Sequence, residues 1–546
     1  MKPASDALLF LPLGGAGEIG MNLSLYGHAG KWLMLDLGVT FGDDTTPGVD
    51  LIMPDISFIR ERVQDLCGLV LTHAHEDHIG AVPYLWPELR CPVYATPFTA
   101  AILRRKLREV GLEAEVPVHL LPMSGKAEIG PFAIELITLT HSIPEPNAVV
   151  IRTSAGAVLH TGDWKLDPAP MIGEPTDVAA LRRIGDEGMY AMICDSTNVL
   201  VNGTSGSEGD VRANLKPLIA AAPERVFVGC FASNVARLES IALAAREADR
   251  QVALIGRSLW RMVSAARETG YLVGLPEFVT EEQAGFFPRD KIVLICTGSQ
   301  GEPRSALARI ARHEHPHVEI AAGDRVIFSS RVIPGNEKSI LRLQNDLARL
   351  GAEIITDRNE NIHVSGHPAR DELVAMYQWV RPQIAIPVHG EARHLDAHAA
   401  LAKECQVPQV VVPHNGSLIQ LAPGPAEIIA DVQSGYLALD GNRLVPLGTV
   451  KRRQRLSANG VVTVAAVLDR QGVLRAPVQI VAQGLLDDEA EDAEVWRQLR
   501  EEAEAALLPA PNSDQDAAEK VRLAVRRWFN RTYQKKPVTT VLVTRI

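Results

Sequence analysis

Thr72-His73-Ala74-His75-Glu76-Asp77-His78 follows directly on the apolar run Leu66-Cys67-Gly68-Leu69-Val70-Leu71. The run reads as a buried strand and the heptapeptide as the loop at its end. Three histidines and an aspartate within six residues offer imidazole nitrogen and carboxylate oxygen, ligand types that Zn²⁺ accepts. His73 and His75 can turn toward one metal while Asp77 and His78 turn toward another, which predicts two metals. A solvated His-rich loop is the plainer alternative. The spacing suits ligation, and chance rarely sets it at a strand end.

Four ligands from one loop do not complete two sites. His141 follows "FAIELITLT", Asp163 ends "AVLHTGD", and His389 lies at the end of "QIAIPVHG". A lone His or Asp at such a place is ordinarily structural. Three of them, each at the C-terminal end of an apolar strand like the loop itself, read as the missing ligands.

The first 160 residues are short β runs such as "NLSLYG", "KWLMLDLG" and "AVVIRTS", punctuated by Gly, Asn, Asp and Pro. From about 208 to 355 the pattern turns to strand and helix in alternation: "RVFVGCF" before "NVARLESIALAAREAD", "KIVLICTG" before "SALARIAR", "DRVIFSS" before "KSILRLQNDLARLG". That predicts a parallel sheet. After "NIHVSGH" come a helix, the strand "QIAIPVHG" and another helix. The Gly- and Pro-rich stretch around 426–458 predicts a linker. The last 90 residues hold strands, two helices and a final strand "VTTVLVTRI", a small α+β domain. The segment "ALLPAPNSDQDAAE" reads as an exposed loop between those helices. Gly15-Ala16-Gly17-Glu18-Ile19-Gly20 matches a dinucleotide fingerprint, but "MNLSLYGHAGKWLMLDLG" reads as a β-hairpin where that motif needs a helix.

Length and composition set outer limits. A chain of 546 residues suggests three or four domains. With 46% hydrophobic and 22% charged residues it is neither disordered nor fibrous. A net charge of -11 speaks against a bulk nucleic-acid coat but not against a local basic groove. Six isolated cysteines read as buried reduced thiols. The N-terminal apolar run is too short for a signal peptide, and no stretch approaches the ~20 apolar residues of a membrane helix. A cytoplasmic location is expected.

With these residues in place the chain resembles the metallo-β-lactamase superfamily through "THAHEDH", His141, "TGDWK" and "PVHGE". Within it, the order "GGAGEIGMN", "IMPDISF", "THAHEDHIGAVPYL", "DSTN", "FASNVARL", "TGSQGEP", "VIPGNE", "HVSGH", "PVHGE" is similar to the ribonuclease J family nearly end to end. Ala74 departs from the Gly of many members, at a position that is not a ligand. The resemblance implies an α/β fold: a metallo-β-lactamase αββα sandwich with an inserted β-CASP parallel α/β domain and a small C-terminal α+β domain. The implied division is 1–207 and 358–425 for the sandwich, 208–357 for the β-CASP insert, 426–458 as linker and 459–546 as the terminal domain.

The resemblance also assigns roles. One zinc is expected on His73, His75 and His141, the other on Asp77, His78 and His389, with Asp163 bridging. That is two Zn²⁺ per subunit, with Mn²⁺ or Mg²⁺ as metals that support activity. The superfamily's acidic motif falls on Asp195 and the β-CASP histidine motifs on His367 and His389. A His at the latter position favours RNA over DNA. Asp77, Asp195 and His367 are the expected catalytic residues, His367 as a general acid oriented by Asp195, since imidazole exchanges protons near neutral pH. His363, Val364, Ser365, Gly366 and His367 are expected to form the pocket for an RNA 5′-phosphate. Ser233, Asn234 and Val235 are expected to join from the insert, with Ser329, Ser330 and Arg331 as weaker candidates. Ser and Asn at that place equally suit a helix N-cap.

The implied activity is 5′→3′ exonucleolytic hydrolysis preferring 5′-monophosphate ends, with endonuclease activity, in RNA maturation and mRNA decay. The implied partners are single-stranded RNA, a second or fourth copy of the chain, and RNA degradosome components. A small-substrate hydrolase of an ester, thioester or lactam is the competing reading, and the inserted domain speaks against it. A non-catalytic paralogue is the third, and the complete ligand set speaks against that. Several histidines are expected to stand outside the site: His313, His315 and His317 in a solvated loop, His160 in or beside the core, His394 and His398 on a helix surface. Trp164 is expected to pack, and Asp50 with Asp440 could form a structural cation site. Charge is unevenly spread. Residues 487–504 carry nine acids against two Arg, and residues 519–536 carry seven bases against one acid. The RNA path is therefore expected to be a narrow, locally basic cleft between the sandwich and the insert.

Overall fold

A computed structural model describes residues 4, 6–43, 45–333, 335–486 and 493–546. The chain divides into two compact units, Met1–Thr40 with Met53–Gly435, and Phe41–Ile52 with Tyr436–Ile546.

The first unit contains two sheets built from the apolar runs. One is ordered Glu427–Asp431, Ser417–Ala422, Leu8–Gly14, Leu23–His28, Lys31–Leu35, Leu66–Val70, Val93–Ala95, Val118–Leu120. The other is ordered Lys126–Ile129, Phe132–Thr138, Asn147–Thr153, Gly156–His160, Ala191–Asp195, Ile384–Val388, Gln409–Val410. Phe10 and Leu33 of the first pack in one core with Ile134, Val149, Ile193 and Ile386 of the second. Each such side chain contributes about 1.5–3 kcal/mol by leaving water. Helices Val178–Glu187, Arg370–Val380 and Ala392–Glu404 bury Leu181, Leu373, Met376 and Leu401 in a second core with Leu159, Met192 and Ala385. Helices Val82–Leu89 and Pro97–Glu109 bury Leu85, Trp86, Phe98 and Leu103. This is the αββα sandwich of the metallo-β-lactamase fold. Strands covered on both faces need no polar alternation, which is why Leu8–Gly14 is buried at every residue.

Strand direction gathers the site. Gly156–His160, Ala191–Asp195 and Ile384–Val388 run parallel, with Asp195 opposite Val388. Phe132–Thr138 points the same way, since each of the two steps separating it from Gly156–His160 is antiparallel. Their C-terminal ends therefore bring His141, Asp163, Asp195 and His389 to one sheet edge.

Neighbouring strands Ala191–Asp195 and Ile384–Val388 are separated in sequence by a complete second fold. Its five strands, ordered Gln251–Ile255, Ile292–Cys296, Val226–Gly229, Arg325–Phe328, Glu353–Ile355, are all parallel. That matches the strand and helix alternation of the sequence.

The second unit has a three-stranded sheet with Val461–Leu468 between Gln479–Gln483 and Val538–Arg545. Every second residue of Val461–Leu468 is buried. Those residues pack with Trp496, Leu499, Val521, Val525 and Phe529 from helices Ala493–Ala505 and Asp514–Tyr533. It is the expected α+β arrangement.

Two expectations change. Residues 426–458 are not a bare linker: they form strands Glu427–Asp431, Tyr436–Asp440 and Arg443–Pro446 and helix Leu447–Asn459. Gly441, at φ 65°, is a turn residue between two of those strands rather than a mark of flexibility. The expected loop between the terminal helices is shorter, because Asp514 to Glu519 already belong to the second helix. Of the acidic run 487–504, residues 487–492 lie outside the described residues, as does Pro334 of "VIPGNE". Gly15–Gly20 leads into the predicted hairpin, Leu23–His28 paired with Lys31–Leu35. All six cysteines are free, four buried and Cys67 and Cys405 half-buried. Among the described residues no helix is long and apolar enough to cross a membrane.

Candidate metal centre

Thr72 to His75 leave the strand Leu66–Val70, and Asp77 and His78 lie in the short helix Glu76–Ile79 that follows. Gly38 makes room for this turn: a Cβ there would meet the Asp77 carbonyl oxygen at 1.7 Å. The donor atoms then fall into two groups. His73, His75, His141 and Asp163 form one, and Asp77, His78, Asp163 and His389 form the other, each within 4.8 Å of one another. Asp163 belongs to both.

In the first group His75 Nδ1 lies 3.1 Å from His73 Nε2 and 3.0 Å from His141 Nε2. Asp163 Oδ2 lies 3.9 and 3.8 Å from the same two nitrogens. Ligands about 2.0–2.1 Å from a tetrahedral metal sit roughly 3.3 Å apart, so the spacing fits. In the second group His78 Nε2 lies 3.2 Å from Asp163 Oδ2 and 3.6 Å from Asp77 Oδ2, and His389 Nε2 lies 3.2 Å from Asp77 Oδ2.

Proton accounting shows which nitrogens carry lone pairs. His78 Nδ1 donates to Asp36 Oδ2 at 2.7 Å. The Thr72 hydroxyl donates to the same oxygen at 2.9 Å, so it accepts from His73 Nδ1 at 3.0 Å. His141 Nδ1 donates to the Gly366 carbonyl at 2.5 Å. The Thr197 hydroxyl donates to Asp195 Oδ1 at 2.7 Å, so it accepts from His389 Nδ1 at 2.8 Å. The Nε2 atoms of all four imidazoles therefore face the cluster, where each can offer a lone pair once deprotonated, as metal ligation requires. Burial disfavours the charged form of His73, His141 and His75, the last pushed down to about 4. Burial resists charge on His78 and His389, but Asp163 and the neighbouring carboxylates outweigh it and raise both, so ligation at their Nε2 atoms would displace a proton from each.

Beside the clusters, His367 Nδ1 donates to Asp195 Oδ2 at 2.8 Å. Burial resists charge on this imidazole, yet Asp195 and Asp163 outweigh it and raise its pKa. The His363–His367 loop is tied to the donor clusters at several points. Gly366 holds His141, and a Cβ on Gly366 would meet the His141 ring at 2.7 Å. Asn198 Nδ2 donates to Ser365 Oγ at 2.6 Å and to the His367 carbonyl at 3.1 Å. His367 N–H also donates to Ser365 Oγ, at 3.2 Å, which leaves the Ser365 hydroxyl proton for another acceptor. His363 Nδ1 is buried and has no hydrogen-bond partner. Val364 is buried.

The remaining expected residues divide. Asn234 caps helix Val235–Glu247 by accepting from Arg237 N–H, and its amide donates to Glu208 at 3.1 Å. Val235 is buried, and its N–H donates to the Ser233 carbonyl. Of these three, Ser233 keeps a free side chain. Ser329 is committed to Ile362 O and Arg237. Arg331 is exposed. The expected basic cleft is only partly met, because Lys165 and Arg237 are buried in ion pairs with Asp167 and Glu208.

Three histidines are not where the sequence suggested. His394 is buried and accepts from Glu391 N–H at the start of its helix. His398 is fully buried between Ser196 Oγ at 2.8 Å and Tyr377 OH at 2.9 Å, and burial holds its pKa down at about 4. His315 is also buried rather than solvated, 3.6 Å from Glu281. His160 is buried against Tyr26 OH, and Trp164 packs fully buried. Asp440 pairs with Arg453 and Asp50 is exposed, so they form no cation site.

Sequence reading missed Asp36, Thr197, Asn198 and the Gly20–Asn22 turn. Gly20 N–H reaches His389 Nε2 at 3.2 Å, and Asn22 Nδ2 lies 3.0 Å from His78 Nε2. Asp36 had a signal, an aspartate ending the apolar strand "KWLML", and it holds φ 58°. Asp36→Ala is expected to weaken metal binding 10–100-fold by releasing His78, as loss of such outer carboxylates does. Titration with a fluorescent zinc chelator measures it; unchanged affinity would show that Asp36 serves the backbone alone.

Comparison with known proteins agrees with this geometry. The family described as "Ribonuclease J, beta-CASP domain" matches residues 223–347, "Ribonuclease J C-terminal domain" residues 448–546, "Zn-dependent metallo-hydrolase RNA specificity domain" residues 351–413, and "Beta-lactamase superfamily domain" residues 44–192. The chain is 47% identical over 553 residues to Ribonuclease J of Sinorhizobium meliloti, covering 99% of this chain and 98% of that protein. It is 39% identical to Ribonuclease J of Mycolicibacterium smegmatis, covering 100% and 98%. A crystal structure of a protein of unknown function from Enterococcus faecalis shares the fold, with TM-score 0.53 and 16% identity over 76% of this chain and 100% of that one. The chain therefore belongs to the ribonuclease J family, within the metallo-β-lactamase-fold nucleases.

Proposed function

We propose that this protein is a two-zinc ribonuclease that hydrolyses RNA phosphodiesters from the 5′ end, preferring 5′-monophosphate ends, with endonuclease activity besides. The observation that carries the reading is the pair of four-donor clusters sharing Asp163 beside a loop with unspent polar groups. His73, His75 and His141 would hold one zinc, Asp77, His78 and His389 the other, and Asp163 both; Mn²⁺ or Mg²⁺ could support activity in their place. When bound, such a pair lowers the pKa of water and stabilises the attacking and leaving oxygens of an in-line displacement.

The chain's own groups do the rest. Attack of water on phosphorus breaks the bond to the 3′-oxygen and leaves a 5′-phosphate on the downstream RNA. His367, held by Asp195, supplies the proton that the departing 3′-oxygen takes up, with Nε2 unengaged by any described residue. The Ser365 hydroxyl, His363 Nδ1 and Ser233 would receive the terminal phosphate. Arg331, which has no ion pair among the described residues, acts on His363 and favours an anion there. A pocket that must be filled by a 5′-phosphate before cleavage explains stepwise movement in the 5′→3′ direction.

Self-association as a homodimer or homotetramer, work in RNA maturation and mRNA decay with degradosome partners, and a cytoplasmic location belong to the same reading. The test compares 5′-monophosphorylated with 5′-triphosphorylated RNA, single-stranded DNA and nitrocefin, each with and without a chelator. Mononucleotide release from the monophosphorylated RNA, abolished by the chelator, is expected. Turnover of nitrocefin alone would overturn the reading.

A further inference from the structure

The basic run near the C-terminus finds no use in the catalytic site, which lies in the other unit. Helix Leu447–Asn459 explains where part of it goes. Its buried Val450 lies on the side that also carries Arg453 and Gln454. Arg453 pairs with Asp440, and Gln454 donates to the Thr45 carbonyl. At 100° per residue, Arg452, Arg455 and Asn459 fall on the opposite side of that helix. Arg452 and Arg455 are exposed.

The stripe continues across a chain crossing. Asn459 Oδ1 accepts from Lys536 N–H at 3.2 Å, and Lys535 Nζ donates to the Ala458 carbonyl at 2.9 Å. Four cationic side chains thus lie along one helix face and its end, although 77 positions of sequence separate Ala458 from Lys535. Several other cations of this unit are paired, Arg475 with Asp469, Arg497 with Glu494, Lys520 with Asp516, Arg522 with Glu519, Arg531 with Glu502 and Arg545 with Asp514, while Arg443, Arg470, Arg500, Arg526 and Arg527 stand singly without an ion pair among the described residues. Among the described residues no carboxylate pairs with Arg452, Arg455, Lys535 or Lys536. In a chain of net charge -11, such a stripe is a local positive potential that attracts a polyanion.

We propose that Arg452, Arg455, Lys535 and Lys536 form a second RNA-backbone docking surface, in the C-terminal unit. It rests on the reading of RNA as substrate. The spacing suits successive phosphates rather than one: Arg452 and Arg455 lie about 4.5 Å apart along the helix axis, and Arg455 and Asn459 about 6 Å. Such contacts carry no sequence information and depend steeply on salt. The surface would therefore favour long RNA over short RNA whatever its sequence.

The test uses the full chain and its triple variant Arg452→Gln, Arg455→Gln, Lys536→Gln, with equal melting temperatures as the folding control. Lys535 is kept because it holds the end of the helix. The probes are 3′-fluorescein oligouridylates of 8 and 40 nucleotides with hydrolysis-resistant phosphorothioate linkages, read by anisotropy from 50 to 300 mM NaCl. The variant is expected to bind the 40-mer about tenfold more weakly and the 8-mer as wild type does. The slope of log affinity against log salt for the 40-mer is expected to fall by about 2, near 0.7 per lost phosphate contact on single strands. Equal 40-mer binding by wild type and variant would overturn the surface and leave the catalytic reading standing. So would unchanged binding with an altered mass by light scattering, which would assign the stripe to a protein contact. Wild type that binds neither probe would overturn the RNA reading and this surface with it.

Discussion

Replacing Asp163 with alanine is expected to lower kcat/KM on 5′-monophosphorylated RNA by about 10⁴-fold, or about 5.4 kcal/mol of transition-state stabilisation. The size follows from its position. Its carboxylate is almost fully buried and lies 3.2 Å from His78 Nε2, 3.8 Å from His141 Nε2 and 3.9 Å from His73 Nε2. It alone belongs to both four-donor clusters. Alanine removes one anionic ligand from each and leaves converging imidazole lone pairs without the charge that balances two divalent cations. Metal per chain, measured by atomic emission, is expected to fall from two toward one or none. Asp163→Asn keeps the shape and one oxygen but loses the charge, so it should retain more metal than Asp163→Ala and little more activity. A variant that keeps two metals and activity within tenfold of wild type would remove Asp163 from the centre.

Much of this centre was legible because its ligands sit at strand ends, and strand ends are what apolar periodicity marks best. "LCGLVL", "FAIELITLT", "AVLHTGD" and "QIAIPVHG" each lead into a ligand-type residue; the last three run the same way in one sheet, and the loop after "LCGLVL" joins them from the other sheet. What escaped was the layer behind. Thr197 and Asn198 look like ordinary polar residues in "DSTN", and only the fold shows one holding His389 and the other holding Ser365 and His367. His398 looked like a surface residue because His394 and His398 share one helix face. That face turns inward, where Ser196 and Tyr377 supply partners that no local pattern records. The segment 426–458 misled for a related reason. Gly and Pro mark turns and linkers alike, and the strands between its turns are short and largely exposed.

His367→Gln is expected to separate proton transfer from metal binding. The substitution removes a group that can move a proton but leaves every residue of the two four-donor clusters in place. Metal content should stay at the wild-type level, while kcat/KM on RNA falls by about 10²–10⁴-fold, the usual contribution of a general acid. The leaving 3′-oxygen of ribose is a poor leaving group unless it is protonated as it departs. A nitrophenolate departs readily without a proton. With bis(4-nitrophenyl) phosphate the variant should therefore lose less than about fivefold. Asp195→Asn should follow the same pattern in weaker form, since it disturbs the hydrogen bond that fixes the His367 ring without removing the ring itself. Because Thr197 also donates to Asp195, some loss through His389 is expected with both substrates for that variant, and the ratio of the two losses is the quantity to compare. An equal loss on RNA and on the nitrophenyl ester for His367→Gln would show that His367 positions substrate or metal rather than protonating the leaving oxygen.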